Sequence, residues 1–338
     1  MKNNQPKISV LMPVFNGELY LKESIDSILN QTFSDFEFLI INDCSTDNSS
    51  GIIASYHDKR IKYIKNESNL GIAASLNKGI ALASGEYIAR MDGDDISCPD
   101  RLLTQIKFIE SNMSIAACGT WAETFGAVSE LCRSPVTHEE IRCRLLFNSA
   151  FIHPSMLFKK SIFTDQELLY HEIKALEDYD LWVRLVEKIK MANIPRVLLK
   201  YRTHDQSESS RWHSIQNQNL NNLRRKKLAD LGLAVSDENL ALHAQIAVCP
   251  KGSSEEFLIR AEEWLAKIYE VNAKSEIYDK NVLGEELASF LFVLCFQARF
   301  TVGLRKAFKI SRNSTLSHFF CSVILKKAFY SSRNLAGI

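Results

Sequence analysis

The chain has 338 residues, 46% of them hydrophobic, with 41 Lys/Arg against 40 Asp/Glu and a formal charge of +1. That length fits one large domain with an appendage, and that apolar share excludes wholesale disorder. The charge balance gives no electrostatic basis for nucleic acid as a partner.

The N-terminus, Met1 to Lys7, is polar and leads into Ile8-Ser9-Val10-Leu11 with no apolar signal core before it. No uninterrupted apolar run reaches the roughly 18 to 20 residues of a spanning helix. The eight cysteines contain no C-x-x-C spacing, which argues against zinc and thioredoxin-like sites and fits a reducing compartment. A cytoplasmic chain is expected.

Residues 8 to 90 alternate between two periodicities. Ile8 to Met12 is a short apolar run ended by Pro13, as in a buried parallel strand. Leu21, Ile25, Ile28 and Leu29 then recur at helical spacing. Phe36 to Ile41 reads as a second buried strand. Asp43 to Asp47 is a polar turn, with Thr46 or Asp47 placed to cap a helix reaching Tyr56. Ile61 to Ile64 is a third strand, Gly71 to Leu82 a helix, and Tyr87 to Met91 a fourth strand. This alternation predicts an α/β fold, a mostly parallel sheet with helices on both faces.

Further on, Pro99 to Glu110 and Thr137 to Phe147 read as helices, with Ala116 to Phe125 as strand between them. Asp178 to Ile189 places Leu181, Trp182, Leu185, Val186 and Ile189 on one helical face. Val197 to Tyr201 is a late strand. Gln206 to Arg211 is a polar, linker-like stretch, and beyond it the pattern is helical. The expected division is a domain over residues 1–210, in halves 1–98 and 99–210, followed by a helical region, 211–338.

Ligands of such sheets sit beyond the carboxyl ends of the strands. That rule selects Pro13 to Asn16, Asn42-Asp43, Lys65 to Gly71, and Asp92 to Asp95. Asp92-Gly93-Asp94-Asp95 carries three carboxylates in four residues. Their repulsion is relieved by a hard divalent cation such as Mg²⁺ or Mn²⁺, and Gly93 lets a ligand approach closely. A solvated acidic turn explains the same residues. Pro13, Val14, Asn16 and Gly17 form a turn that can hold a nucleotide or simply join strand to helix. It is neither G-x-G-x-x-G nor a phosphate loop, so dehydrogenase and phosphate-loop NTPase readings lose their main support.

Three other places hold candidates. Asp43 can accept from a pyrimidine N–H or hold a turn. Glu177 and Asp178 open a helix, where the dipole favours acids, and one of them can serve as a general base. Arg202 and His204, after the late strand, can approach a diphosphate or be structural. His153 before Pro154 is a weaker signal of the same kind.

Taken together these stretches resemble the family 2 glycosyltransferases and their GT-A nucleotide-sugar-binding fold. The likeness rests on ISVLMPVFNGELYLKESIDSILNQTFSDFEFLIINDCSTDNS, NLGIAASLNKGIALASGEYIARMDGDDISCPDRL, LEDYDLWVRL and KYRTHDQSESS, in the family's order over roughly residues 6 to 210. A looser likeness joins it to bacterial enzymes that extend lipooligosaccharide or O-antigen chains. The resemblance implies a donor-binding half, 1–98, and an acceptor-binding half, 99–210. It places the D-x-D motif on Asp92 and Asp94, binding Mn²⁺ or Mg²⁺ and the donor diphosphate. Pro13, Val14 and Asn16 would lie around base and ribose, and Asp43 would read uracil. Asn69, Gly71 and Arg90 carry further family positions, and Asp178 of the Glu177-Asp178 pair would be the catalytic base. Cys44 departs from the Gly or Asp that family members often carry there.

The implied reaction is inverting transfer of a hexose or N-acetylhexosamine from a UDP-sugar to a saccharide acceptor, lipid-linked in the envelope pathways. A nucleotidyltransferase and a non-catalytic carbohydrate-assembly protein are the alternatives. In the last third, the apolar helix around Leu287 is expected to pack within a helical subdomain or on a second subunit of a homodimer. The final thirty residues, basic and apolar, are expected to touch the inner membrane peripherally.

Overall fold

The computed structural model describes residues 5–204 and 213–335. The expected boundary near residue 210 and its linker, 206–211, lie outside the described residues.

The apolar runs form strands β1 (Ile8–Val14), β2 (Phe36–Asn42), β3 (Ile61–Lys65) and β4 (Tyr87–Arg90), paired in parallel in the order β3-β2-β1-β4. The register aligns Leu11 with Leu39 on one side and with Arg90 on the other. Val10, Met12, Phe38, Ile40 and Ala89 are fully buried, as continuous β-branched and aromatic runs require when both faces are covered. Between the strands lie α1 (Leu21–Leu29), α2 (Ser49–Ala54) and α3 (Ile72–Leu82). Gly85 turns tightly into β4, because a Cβ there would lie 2.5 Å from the Ser9 backbone nitrogen.

After β4 come β5 (Ile96–Ser97), α4 (Arg101–Ser111), β6 (Ile115–Gly126), β7 (Leu131–Cys132), α5 (His138–Arg144), β8 (Leu157–Lys159), α6 (Glu177–Leu185) and β9 (Lys190–Thr203). They extend the sheet as β4-β8-β6-β9-β5, with β7 beside β6. β8 is antiparallel to both neighbours, and β6 and β9 run parallel. The mostly parallel expectation therefore holds for the first half, while the second half is mixed. β9 starts well before Val197. Its register skips from Ile194 to Val197 opposite Thr120-Trp121, so Pro195, which has no N–H, occupies a bulge. Asp47 does not cap α2 from its N-cap position, which is Asn48. Its carboxylate instead takes the Ser49 and Glu18 N–H groups.

Two compact units emerge: Met1–His138 with Ala150–Gln216, and Glu139–Ser149 with Asn217–Ile338. Residues 139–149, assigned by sequence to the acceptor-binding half, therefore belong to the second unit. The cause is burial, since Cys143, Leu146 and Phe147 enter the same apolar cluster as Leu242, Ile246, Leu265 and Leu291. That unit also contains α7 (His213–Asp230) from Asn217 on, α8 (Asp237–Val248), α9 (Glu255–Ser275), α10 (Lys280–Ala298), α11 (Leu304–Asn313) and α12 (Phe320–Leu335). By length and composition α10 is apolar enough to cross a membrane. Leu283, Leu287, Leu291 and Leu294 on it are fully buried within the unit, the pattern of a core helix.

Candidate functional site

The loops after β1 and β2 are stitched together. The Asn16 N–H donates to Ser45 Oγ at 3.0 Å, and Asn16 Oδ1 accepts from the Thr46 N–H at 2.8 Å. The Gly17 N–H donates to Ser49 Oγ at 3.0 Å. Glu18 and the 47–48 turn exchange bonds reciprocally, Glu18 N–H to Asp47 and Asn48 N–H to Glu18. Asn16 and Cys44 both adopt left-handed backbone, with φ of 52° and 61°. An Asn tolerates that region. At Cys44 it costs more.

Asp43 faces inward. Its carboxylate accepts from Asn66 Nδ2 at 2.7 Å and from the N–H groups of Leu70 and Gly71 at 2.9 and 2.8 Å. The Asn69 side chain donates to the Asp43 carbonyl at 3.3 Å. A carboxylate offers about four acceptor positions, and the chain itself uses three of them at Asp43. Gly71 opens α3 at φ 85°, a conformation that favours glycine.

The acidic turn follows β4. One carboxylate oxygen from each of Asp92, Asp94 and Asp95 lies within 4.8 Å of the others. Asp95 is buried, with Oδ1 accepting the Arg202 N–H at 2.8 Å, while Oδ2 is buried with no hydrogen-bond partner. Burial raises the Asp95 carboxyl well above the usual carboxylate range; Asp92 and Asp94 add to this, and the Arg202 N–H and Arg90 oppose it. Asp95 thus braces the turn and does not cap α4. Arg90, also buried, ion-pairs with Asp92. A Cβ on Gly93 would meet only ordinary contacts at 3.6 Å from Leu21 and Val14, so the protein's own packing does not demand glycine there.

The end of β9 closes over this turn because β5 pairs with it, Ser97 opposite Leu199. Arg202 Nε donates to the Asp94 carbonyl at 2.7 Å and Nη2 to Glu23 at 2.5 Å. Its guanidinium lies 4.2 Å from the Tyr20 ring centroid and 4.3 Å from that of Phe125. Arg202 is therefore a clamp on the acidic turn, held also by Glu23, Tyr20 and Phe125, which the sequence did not single out. His204 Nε2 lies 3.0 Å from Asp94 Oδ2. Three convergent carboxylates are an oxygen donor set suited to Mn²⁺ or Mg²⁺, so the residues fit a divalent cation.

Glu177 and Asp178 form the first turn of α6, with Glu177 buried and Asp178 half-buried. Asp178 Oδ1 accepts the Tyr179 N–H at 2.6 Å. Burial raises the Asp178 carboxyl above its ordinary value, while the Tyr179 N–H and the Arg90 charge pull it back. The helix is anchored by Trp182, which stacks on Phe158 and meets His153 edge-on. Burial, reinforced by the Arg90 charge, pushes the His153 pKa well below the usual histidine value, and its Nε2 pairs with the Tyr170 hydroxyl at 2.8 Å. Tyr170 also exchanges two backbone bonds with the Asn77 side chain, at 2.8 and 3.0 Å. His153 is thus a structural partner in the support behind Asp178.

A family model described as Glycosyl transferase family 2 matches residues 9–165. An uncharacterized glycosyltransferase of Haemophilus influenzae is 33% identical over 239 residues, 67% of this chain and 74% of the relative. The O-antigen biosynthesis glycosyltransferase WbnJ of Escherichia coli is 34% identical over 59% of this chain and 81% of its own length. Among solved structures, S. aureus TarS 1-349 in complex with UDP-GlcNAc superimposes with a TM-score of 0.58 at 17% identity, over 90% of each chain. That last likeness concerns the fold.

Proposed function

The chain belongs to the family 2 glycosyltransferases, and on that premise we propose that it transfers a hexose or N-acetylhexosamine from a UDP-sugar to a saccharide hydroxyl with inversion. It is an enzyme with the GT-A fold, and membership in the family removes the nucleotidyltransferase reading. The observation that carries the proposal is the meeting of Asp92, Asp94 and Asp95 within 4.8 Å at the carboxyl end of β4.

Asp92 and Asp94 would hold Mn²⁺ or Mg²⁺, with His204 beside Asp94. A cation there would offset charge developing on the departing diphosphate. The remaining chemistry belongs to this chain's own groups. The loops of Pro13–Asn16 and Asp43 would orient the base and ribose, and Asn69 and Gly71 hold the Asp43 loop in place. Arg90 balances the acidic turn through Asp92. Asp178 would take the acceptor hydroxyl's proton as that oxygen attacks the anomeric carbon from the face opposite the diphosphate. An α-linked donor then yields a β-linked product, without a carboxylate nucleophile.

The WbnJ likeness supports a role in bacterial surface polysaccharide synthesis, for which we infer a lipid-linked acceptor. The eight cysteines form no disulfide, which supports a cytoplasmic reaction. A panel of UDP-sugars and GDP-sugars, incubated with Mn²⁺ and followed by nucleotide release, tests the donor. Release of UDP from at least one UDP-sugar is expected. Preference for a GDP-sugar, or no turnover of any donor, would overturn the proposal.

A further inference from the structure

Residues 287–338 contain eight Lys/Arg and no Asp/Glu, whereas residues 1–286 hold 33 Lys/Arg against 40 Asp/Glu. A chain that is nearly neutral overall therefore has one strongly basic end. The same end exposes large apolar side chains. Phe300 is 82% and Phe296 55% exposed. The Arg299 guanidinium lies 3.8 Å from the Phe296 ring centroid and 4.1 Å from that of Phe300. Phe296 stacks on Phe292, which in turn lies against Phe320 at the start of α12.

The apolar strip continues along α12. Cys321, Ile324, Leu325, Ala328 and Phe329 are all exposed, and their spacing places them on one arc of the helix. The opposite side is committed to the unit's interior. Val323 is buried, Ser322 bonds Glu285, and Lys326 is paired with Glu140 and Glu285. Lys326 is thus a tether of the helix. The exposed cations come from α11, where Arg305, Lys306, Lys309 and Arg312 face solvent, with Lys306 also reaching Glu255.

We propose that this face of the C-terminal unit docks on an anionic lipid bilayer. Exposed rings flanking an arginine suit the boundary between headgroups and acyl chains, where the rings enter apolar surroundings and the guanidinium stays at phosphate level. The acid-free segment supplies the long-range attraction, which anionic headgroups match. A second copy of this chain would present the same positive charge and repel it.

Flotation of the purified full chain with phosphatidylcholine vesicles, with or without phosphatidylglycerol, tests the proposal. The chain should float with the anionic vesicles at low salt, about tenfold less with phosphatidylcholine alone, and be released by high salt. The triple variant Arg299→Gln/Arg305→Gln/Lys309→Gln should lose about 100-fold in partition, at about fivefold per basic residue. Phe296→Ser/Phe300→Ser should lose about tenfold. Arg299 is half-buried and the other altered residues are exposed, and none lies in the proposed donor site, so the far-ultraviolet spectrum and donor turnover should match the parent. Equal flotation with and without phosphatidylglycerol overturns the proposal. So does a chain that ignores both vesicles and forms oligomers dissolved by the same substitutions, which would give this face to a second copy.

Discussion

His204 Nε2 lies 3.0 Å from Asp94 Oδ2, joining the end of β9 to the acidic turn after β4. The two residues are brought together by the pairing of β5 with β9. That contact sets an imidazole beside one carboxylate of the three-aspartate cluster.

His204→Ala should weaken binding of Mn²⁺ by about 10–100-fold, the range for losing a group that ligates or orients a ligand. Asp94→Asn should weaken it at least as much. Calorimetric titration with Mn²⁺ reads both effects. An unchanged affinity in His204→Ala would make the imidazole a structural partner of Asp94 alone.

Asp178 must be ionised to accept a proton, and burial raises its carboxyl above the ordinary range while the Tyr179 N–H and Arg90 restrain the rise. The acid limb of kcat should therefore fall at a pH above the usual aspartate pKa of about 3.9. Steady-state rates at saturating metal and donor give the profile. A limb at or below that value would remove Asp178 from the proton transfer.

Glu37 supplies a stability test away from the site. Burial pushes its carboxyl up, but hydrogen bonds from Lys62, Ser9 and Ser84 outweigh it and hold the pKa at about 2, against 4.5 ordinarily. A depressed folded pKa adds stability above the unfolded pKa and loses it as pH falls toward the folded one. Stability from this group should therefore be full above about pH 5 and vanish between about pH 4.5 and 2. Glu37→Gln should cost about 1–3 kcal/mol at neutral pH, discounted because Lys62 is half-exposed, and flatten that part of the profile. Urea unfolding across pH measures it.

Much of the fold of the first half was legible in the sequence, since β1, β2 and β4 are buried on both faces and read as mostly apolar runs. The short strands β5, β7 and β8 span two or three residues, too few to show a period. Half of β9 was hidden because Pro195 interrupts the pattern and occupies a bulge. At the site, the cluster of Asp92, Asp94 and Asp95 was readable because its members are neighbours in sequence. The clamp of Arg202 and the approach of His204 were not, since they depend on a strand pairing across about a hundred residues. Asp43 was found as a candidate, but its use by Asn66, Leu70 and Gly71 depends on a loop conformation that composition does not encode. The helix at 138–144 was found, but its membership in the second unit follows from what covers Leu146 and Phe147.

Asp178→Asn separates binding from chemistry most directly. UDP affinity and sugar transfer are measured on one preparation whose circular dichroism matches the parent. Transfer should fall by about 10³-fold or more while UDP affinity stays within about threefold, because only proton removal is lost. Retained transfer, or UDP affinity lost along with it, would contradict the assignment of Asp178 as the base of an inverting glycosyltransferase.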